Sequence, residues 1–184
     1  MFEEVGIKTQ TCVQRSKIAR CQITCPDDIT VNKDFAKKII HHVDRGIVIT
    51  DETVREDDKN YLISLGCEVY TFKWEDSTSQ QRNHYLEILE DGTWACVNDP
   101  DEPYHDILIK DLRDIIRQTE EKGISMIFLN THDIWLKSDG TEEESITDYY
   151  KPLIFKYRKG VHYTGQIHEI LEGYPYRSTR ADPK

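Results

Sequence analysis

Three carboxylates follow a short apolar run near the middle of the chain. The apolar residues 94–97 are succeeded by Asp99, Asp101 and Glu102 within the stretch NDPDE. Like charges this close repel one another and cost stability unless a cation or solvent separates them. Carboxylate oxygens are the ligands that Mg²⁺ and Mn²⁺ prefer, and Mg²⁺ usually combines one or two of them with substrate phosphate oxygens. The stretch therefore indicates either a site for a metal–diphosphate unit or a solvated turn.

Proline between the two aspartates bears on this choice. Pro100 favours an extended conformation at Asp99, and alternate side chains of an extended segment lie on the same side. Asp99 and Asp101 can then converge on one ion. An isolated Asp-x-Asp triplet is common in acidic chains, however, so the triplet alone favours the solvated turn.

The composition limits the classes of protein that the chain can belong to. The 184 residues are 38% hydrophobic and 32% charged, which is typical of a folded domain with a core, and we expect one compact domain over residues 1–184. No apolar run approaches the roughly 20 residues of a membrane span, and the acidic start does not resemble a signal peptide, so we expect a cytoplasmic protein. The net charge of −10 argues against non-specific nucleic-acid binding.

The order of apolar patterns predicts an α/β fold. Strand patterns at 20–25, 46–51, 67–74, 93–98 and 124–130 alternate with helical patterns at 32–43, 55–66, 78–92 and 105–123. This alternation is typical of a mainly parallel sheet flanked by helices. Residues 151–171 predict two further short strands, and hence a small antiparallel C-terminal part. We also expect Asn32 to cap the first helix and residues 130–135 and 139–145 to form loops.

Acidic side chains are expected at one edge of this sheet. Asp51 ends the second predicted strand, and the Asp99 cluster ends the fourth. Ligands of open parallel sheets bind beyond the carboxyl ends of the strands. The pattern therefore predicts a binding site at this edge.

Residues around this cluster carry a family resemblance. The stretch FKWEDSTSQQRNHYLEILEDGTWACVNDPDEPY resembles the family 2 glycosyltransferases of the GT-A fold, with their F-x-W, R-N, G-x-W and D-x-D-E landmarks in the same order. A later segment, Y-x-G-x-x-H-E, also resembles the family, and the likeness spans residues 45–172. The matching residues are Phe72, Trp74, Arg82, Asn83, Trp94, Asp99, Asp101, Glu102, Tyr163, Gly165, His168 and Glu169.

The resemblance implies a site for a nucleotide-diphosphate sugar. It implies that Asp51 contacts the nucleobase, that Asp99 approaches ribose and metal, and that Asp101 binds Mn²⁺ or Mg²⁺ and takes part in catalysis. Arg82 and Asn83 are implied as further nucleotide-sugar contacts. Arg82 could serve phosphate or a structural carboxylate, because acids rather than bases are favoured in a first helical turn.

Two residues near the end of the chain complete the implied site. His168 would be a third metal ligand. Glu169 would be the base that deprotonates an acceptor hydroxyl, or an acceptor contact. Few residues follow this pair, so we expect the acceptor-binding elements to be absent or to come from a partner chain or another copy.

Three functions are compatible with these residues. The resemblance favours an enzyme, a metal-dependent glycosyltransferase that moves a sugar from a nucleotide-diphosphate sugar to an unidentified acceptor hydroxyl. The chain replaces the family's Gly-Ser after Asp51 by bulkier residues in the stretch DETVRE. This departure favours the alternative, a degenerate GT-A-like fold that binds a nucleotide sugar or a protein without catalysis. A metal-dependent phosphodiesterase or nuclease is the third hypothesis, and such an enzyme usually requires more metal-binding acids or histidines. We expect Trp74 and Trp94 to be packing residues.

Overall fold

The fold places strands and helices in the predicted alternation. The computed structural model describes residues 15–99, 102, 104–136, 141–166, 169–174 and 178–181. The strands are β1 (Ile18–Thr24), β2 (Arg45–Thr50), β3 (Cys67–Thr71), β4 (Trp94–Val97), β5 (Met126–Leu136), β6 (Glu142–Lys156), β7 (His162–Thr164), β8 (Ile170–Glu172) and β9 (Ser178–Ala181). The helices are α1 (Ile29–Ile39), α2 (Glu56–Ser64), α3 (Thr78–Ile88) and α4 (Asp106–Glu121).

Seven of the strands form one mixed sheet. Their order is β3-β2-β1-β4-β6-β5-β9. The pairs β2–β3, β1–β2, β1–β4 and β5–β9 are parallel, whereas β6 runs antiparallel to β4 and β5. Strands β7 and β8 form a separate antiparallel pair. The predicted α/β class, the mainly parallel sheet and the small antiparallel C-terminal part are confirmed.

Helices cover both faces of the sheet because alternate strand residues are apolar on both sides. On one face, Ala19, Cys21 and Val97 of the central strands pack with α3 and with the β7–β8 pair. On the other face, residues such as Ile18 and Trp94 pack with α1 and α4, while α2 packs against the edge nearest β3. Because both faces of the sheet are buried, we expect functional residues at the strand ends, where the connecting loops begin.

Three local expectations are wrong. Helix α1 begins at Ile29, so Asn32 lies inside it, where its side chain is fully buried against Arg20 rather than capping the helix. Residues 130–135 continue β5, and the predicted loop at 139–145 gives way to β6 from Glu142 onward. The pairing of these two long strands supplies hydrogen bonds that override the polar local sequence. In the described part of the chain, no helix is long and apolar enough to span a membrane.

Candidate functional site

A cavity of about 610 Å³ lies at the carboxyl edge of the parallel strands. Its volume is within the usual range for a small-molecule site. Strands β1 and β2 end side by side there, because Thr24 pairs with Thr50 in register. The described residues that line the cavity are Ile23, Thr24, Cys25, Asp28, Ile49, Thr50, Asp51, Trp74, Thr78, Gln81, Arg82, Asp99 and Glu169. The structure thus brings four of the predicted site residues, Asp51, Arg82, Asp99 and Glu169, to one cavity.

Asp51 is held rigidly at the end of β2. Its Oδ1 accepts hydrogen bonds from the backbone N–H groups of Thr53 and Val54, at 2.7 and 3.2 Å, and from the Thr53 hydroxyl. This turn is the local structure that Asp favours when its side chain binds the backbone two residues on. Within the described residues, Oδ2 has no recorded hydrogen bond. Asp51 therefore offers a fixed acceptor oxygen at the β2 end of the cavity.

Asp99 lies two residues after the last residue of β4 and begins the acidic turn. Its backbone carbonyl accepts a hydrogen bond of 3.0 Å from the Glu102 N–H. The Glu102 carboxylate binds Lys151 of β6, so this third acid has a cationic partner away from the cavity. Asp101, the predicted metal ligand and catalytic acid, lies outside the described residues. The Asp99 carboxylate is therefore the described acid that this turn contributes to the cavity.

Arg82 joins two carboxylates that are far apart in the sequence. Helix α3, capped by the Ser77 side chain, carries Arg82 in its second turn with only 9% of the side chain exposed. Its Nη2 donates to Oδ1 of Asp99, and its Nε donates to Oε1 of Glu169 at 2.6 Å. Charge-assisted hydrogen bonds of this kind are short and strong. Arg82 thus orders the β4 end of the cavity.

The charges of this triad support one another. Burial by itself lowers the pKa of the Arg82 guanidinium, but the neighbouring phenols and the carboxylates of Asp99 and Glu169 more than offset it, so the pKa is raised. Burial raises the pKa of Glu169, yet the charge and hydrogen bond of Arg82 outweigh it and lower the pKa overall. Both groups are therefore charged at neutral pH, and Glu169 is a weak base while it is paired.

Asn83 occupies a different place from its neighbour in the sequence. Its Nδ2 donates to the Tyr163 carbonyl at 2.9 Å, and its Oδ1 accepts from the Tyr163 N–H at 2.7 Å. Asn83 is not among the residues that line the cavity. Its two bonds join α3 to β7, which positions the following segment with Glu169. The structure therefore gives Asn83 a supporting contact, while its nucleotide-sugar contact stays a prediction.

Trp74, which we expected to be a packing residue, lines the cavity. Trp94 is fully buried, as expected, but Trp74 is 43% exposed and lines the cavity. Cys25 and Asp28 also line it, with the Cys25 thiol donating to Asp28 Oδ2 at 3.0 Å. Cys25 and Asp28 could have been predicted as cavity residues from their position, because they follow β1 in the chain just as Asp51 follows β2.

The described residues do not by themselves form a metal-binding set. A group of three or more His, Cys, Asp or Glu side chains suitable for a metal ion is absent from the described part of the chain. Of the three predicted ligands, Asp99 is described and has one oxygen bound by Arg82, while Asp101 and His168 lie outside the described residues. A metal site here would therefore depend on Asp101 and His168.

Comparisons with known proteins give distant structural likenesses. No protein-family model matches the chain, and no curated protein matches its sequence. The 4-diphosphocytidyl-2C-methyl-D-erythritol synthase of Anaerococcus prevotii is 10% identical, with a TM-score of 0.47 over 77% of this chain and 71% of that one. CMP:2-keto-3-deoxy-manno-octonic acid synthetase complexed with CTP is 12% identical, with a TM-score of 0.47 over 78% of this chain and 74% of that one.

A third likeness is to a longer protein. Residues 1–349 of S. aureus TarS are 14% identical, with a TM-score of 0.48 over 62% of this chain but only 35% of that one. All three TM-scores are below 0.5, so we base no functional conclusion on these proteins. A proposal about function must therefore be based on the cavity and the side chains that line it.

Proposed function

We propose that the chain is a glycosyltransferase that takes a sugar from a nucleotide-diphosphate sugar and transfers it to an acceptor hydroxyl. The observation that carries the proposal is the cavity at the carboxyl edge of β1, β2 and β4, with Asp51 at one end and the Asp99–Arg82–Glu169 triad at the other. These residues belong to motifs that resemble those of the family 2 glycosyltransferases of the GT-A fold. Geometry and motif order therefore favour the same function.

The two ends of the cavity suit two parts of such a donor. Strands β2 and β4 flank β1 in the sheet, so their ends lie about 10 Å apart. In the proposed complex, the fixed Asp51 carboxylate accepts a hydrogen bond from a nucleobase N–H. The diphosphate then lies toward Asp99, whose orientation Arg82 controls. Arg82 already donates to two carboxylates, so it acts on the donor mainly through Asp99.

The charge of the cavity supports a role for a divalent cation. Its described lining includes the carboxylates of Asp28, Asp51, Asp99 and Glu169 against the single guanidinium of Arg82. A diphosphate entering this acidic cavity needs additional positive charge. We propose Mn²⁺ or Mg²⁺, bound by Asp99 with Asp101 and His168, and such a metal would neutralise the charge of the departing diphosphate.

Glu169 has a positioning role in the paired state. Because its pKa is lowered by Arg82, it is poorly suited to remove a proton from an acceptor hydroxyl. It becomes a stronger base once its bond to Arg82 breaks. We therefore propose that Glu169 first holds Arg82 in place, and that base catalysis by Glu169 or Asp101 requires an acceptor to be bound.

Donor turnover tests this function. Release of the nucleoside diphosphate is measured with UDP-, GDP- and dTDP-linked sugars in the presence of Mn²⁺, for the wild type, Asp99→Asn and the control Asp114→Asn. Asp114 is exposed on α4 and does not line the cavity. We expect one nucleotide class to be turned over, with a loss of at least about 100-fold in Asp99→Asn and none in the control. Equal turnover by all three proteins would contradict the proposal.

A non-catalytic binding module is the second candidate. The observation that favours it is that Asp99 and Glu169 are both paired with Arg82, which occupies one oxygen of each carboxylate. Such a module would bind a nucleotide sugar with the same residues but would not turn it over. Binding without release of a nucleoside phosphate, with and without added acceptor sugars, would favour this candidate over the transferase.

A further inference from the structure

We propose that Trp74 is a stacking platform for the nucleobase of the donor. The proposal rests on the proposed function, because it assigns an occupant to one end of the same cavity. An exposed tryptophan at a cavity offers a flat apolar face with a fixed geometry, and stacking on such a face suits every nucleobase. Trp74 meets this condition, as it is 43% exposed and lines the cavity beside Asp51.

The ring of Trp74 is held although it is exposed. Its Nε1–H donates to Oδ1 of Asp76 at 3.0 Å, and its backbone N–H donates to Oε2 of Glu52 at 3.2 Å. Asp76 has a φ of +53°, in the left-handed region that residues with a side chain seldom adopt. Strained positions of this kind occur at ligand sites, where the surrounding structure maintains them. Here the strained residue holds an aromatic side chain at a cavity.

The neighbours of Trp74 favour a base rather than a sugar ring. Glu52, which binds the Trp74 backbone, adjoins Asp51, so the aromatic face and the fixed carboxylate belong to one connected group. A nucleobase presents both a π-face and N–H donors at its edge, and this pair of groups matches both. The triad around Arg82 lies toward the β4 end, which leaves that end for the phosphates and the sugar.

Tryptophan fluorescence provides a direct test. The chain has three tryptophans, so the Trp74 signal is obtained as the difference between the wild type and Trp74→Phe. The probes are UMP, GMP, CMP and dTMP, with methyl glucoside and inorganic diphosphate as controls for the sugar and phosphate groups. We expect at least one nucleotide to quench this difference signal, and methyl glucoside and diphosphate to leave it unchanged.

Affinities of three variants sharpen the test. Trp74→Phe retains an aromatic face but loses the hydrogen bond to Asp76, so we expect it to bind the quenching nucleotide about 3-fold more weakly than the wild type, whereas Trp74→Ala binds it about 10- to 100-fold more weakly. Asp76→Gly removes the hydrogen bond to the ring and also relieves the positive φ. We expect it to bind the nucleotide more weakly while its thermal unfolding midpoint does not fall, a combination that a purely structural role for Asp76 would not produce.

One result separates this proposal from the proposed function, and another overturns both. Nucleotide binding that is equally tight in the wild type and Trp74→Ala would overturn the platform and leave the donor site standing. Quenching by methyl glucoside without quenching by any nucleotide would also overturn it. If no nucleotide binds the wild type by calorimetry, both proposals fail together.

Discussion

Among the residues that the structure describes, two arginines are buried, and their surroundings are opposite. Arg82, at the cavity, is paired with Asp99 and Glu169, and its pKa is raised. Arg20, in the middle of β1, is fully buried without a carboxylate partner among the described residues. Its Nη2 donates to Oδ1 of Asn32 at 3.0 Å, and its guanidinium lies over a phenylalanine ring. Burial lowers the pKa of Arg20 to about 10.

The charge of Arg82 orders the side chains at the cavity, whereas the charge of Arg20 is buried in the core and orders no acidic side chain among the described residues. Burying a guanidinium is costly unless hydrogen bonds and opposite charges compensate for the lost water. Arg82 has both, and in return it fixes two acids at the cavity. Arg20 leaves Nε and Nη1 without hydrogen-bond partners in the described part of the chain. We therefore expect the two arginines to respond in opposite directions when each is replaced by an apolar side chain.

Replacing Arg82 should have the largest effect. In Arg82→Met, Asp99 and Glu169 lose their shared cation, and Glu169 stays largely buried. We expect the free energy of unfolding to fall by about 3–5 kcal/mol, measured by urea denaturation. Arg117→Met is the matched control, since Arg117 makes only exposed ion pairs and should cost less than about 1 kcal/mol. A loss in Arg82→Met no larger than in this control would break the comparison.

Replacing Arg20 together with its partner should not destabilise the protein. Arg20→Met with Asn32→Leu removes the buried charge and also the amide that would otherwise lose its hydrogen bond. Apolar replacement of buried ionic groups is often neutral or stabilising by about 1–4 kcal/mol, and we expect a result in that range by the same urea denaturation. If the double variant instead loses more than about 2 kcal/mol, Arg20 has a compensating partner and the contrast with Arg82 fails.

Acid should weaken the triad through Glu169. Its pKa is lowered in the folded state, so its contribution is complete above the ordinary value of 4.5 and is lost as the pH falls through the folded pKa. We expect Glu169→Gln to be less stable than the wild type by about 2 kcal/mol at pH 7, and the gap to close progressively below about pH 4.5. Urea denaturation at several pH values measures it. A gap that stays constant down to pH 3 would show that the charge is not responsible.

Cysteine labelling should give the smallest effect, a change of rate. Cys21 adjoins Arg20 and is fully buried, whereas Cys25 lines the cavity with Arg82. Burial, and then the hydrogen bond to Asp28, raise the pKa of the Cys25 thiol. In a Cys12→Ser background, we expect slow reaction with N-ethylmaleimide at Cys25 at pH 7, faster reaction in Asp28→Asn, and none at Cys21.

Peptide mapping by mass spectrometry identifies the labelled cysteine. Labelling of Cys21 under native conditions would contradict its placement in the core. A nucleotide that binds the cavity should also slow the labelling of Cys25. If the labelling rate of Cys25 is unchanged at a saturating concentration of that nucleotide, Cys25 does not lie in the nucleotide-binding site.

The sequence predicted the sheet and the edge where the acids meet, because both follow from local periodicity. Asp51 and Asp99 could be placed at one edge since each ends a parallel strand. The Arg82–Glu169 pair could not be derived from spacing, because 87 residues separate its members and only the packing of α3 against β7 and β8 joins them. The same limit applies to the buried Arg20, whose polar type gave no sign of its position.

Other failures have local physical causes. Asn32 looked like a helix cap, but the helix starts at Ile29 and buries Asn32 against Arg20. The exposure of Trp74 depends on hydrogen bonds to Glu52 and Asp76, which no apolar pattern reveals. Most of the site features that the sequence did not predict therefore depend on side-chain hydrogen bonds between different segments of the chain.

The central claim is that the cavity ordered by Arg82 binds a nucleotide-diphosphate sugar. The most direct measurement is the thermal unfolding midpoint with UDP-, GDP- and dTDP-linked sugars, each with and without Mn²⁺. At about 100-fold above the dissociation constant, we expect one nucleotide class to raise the midpoint by about 5–10 °C in a metal-dependent manner. The rise should be lost in Asp99→Asn and kept in Asp114→Asn. No rise with any donor, or an equal rise in both variants, would contradict the claim.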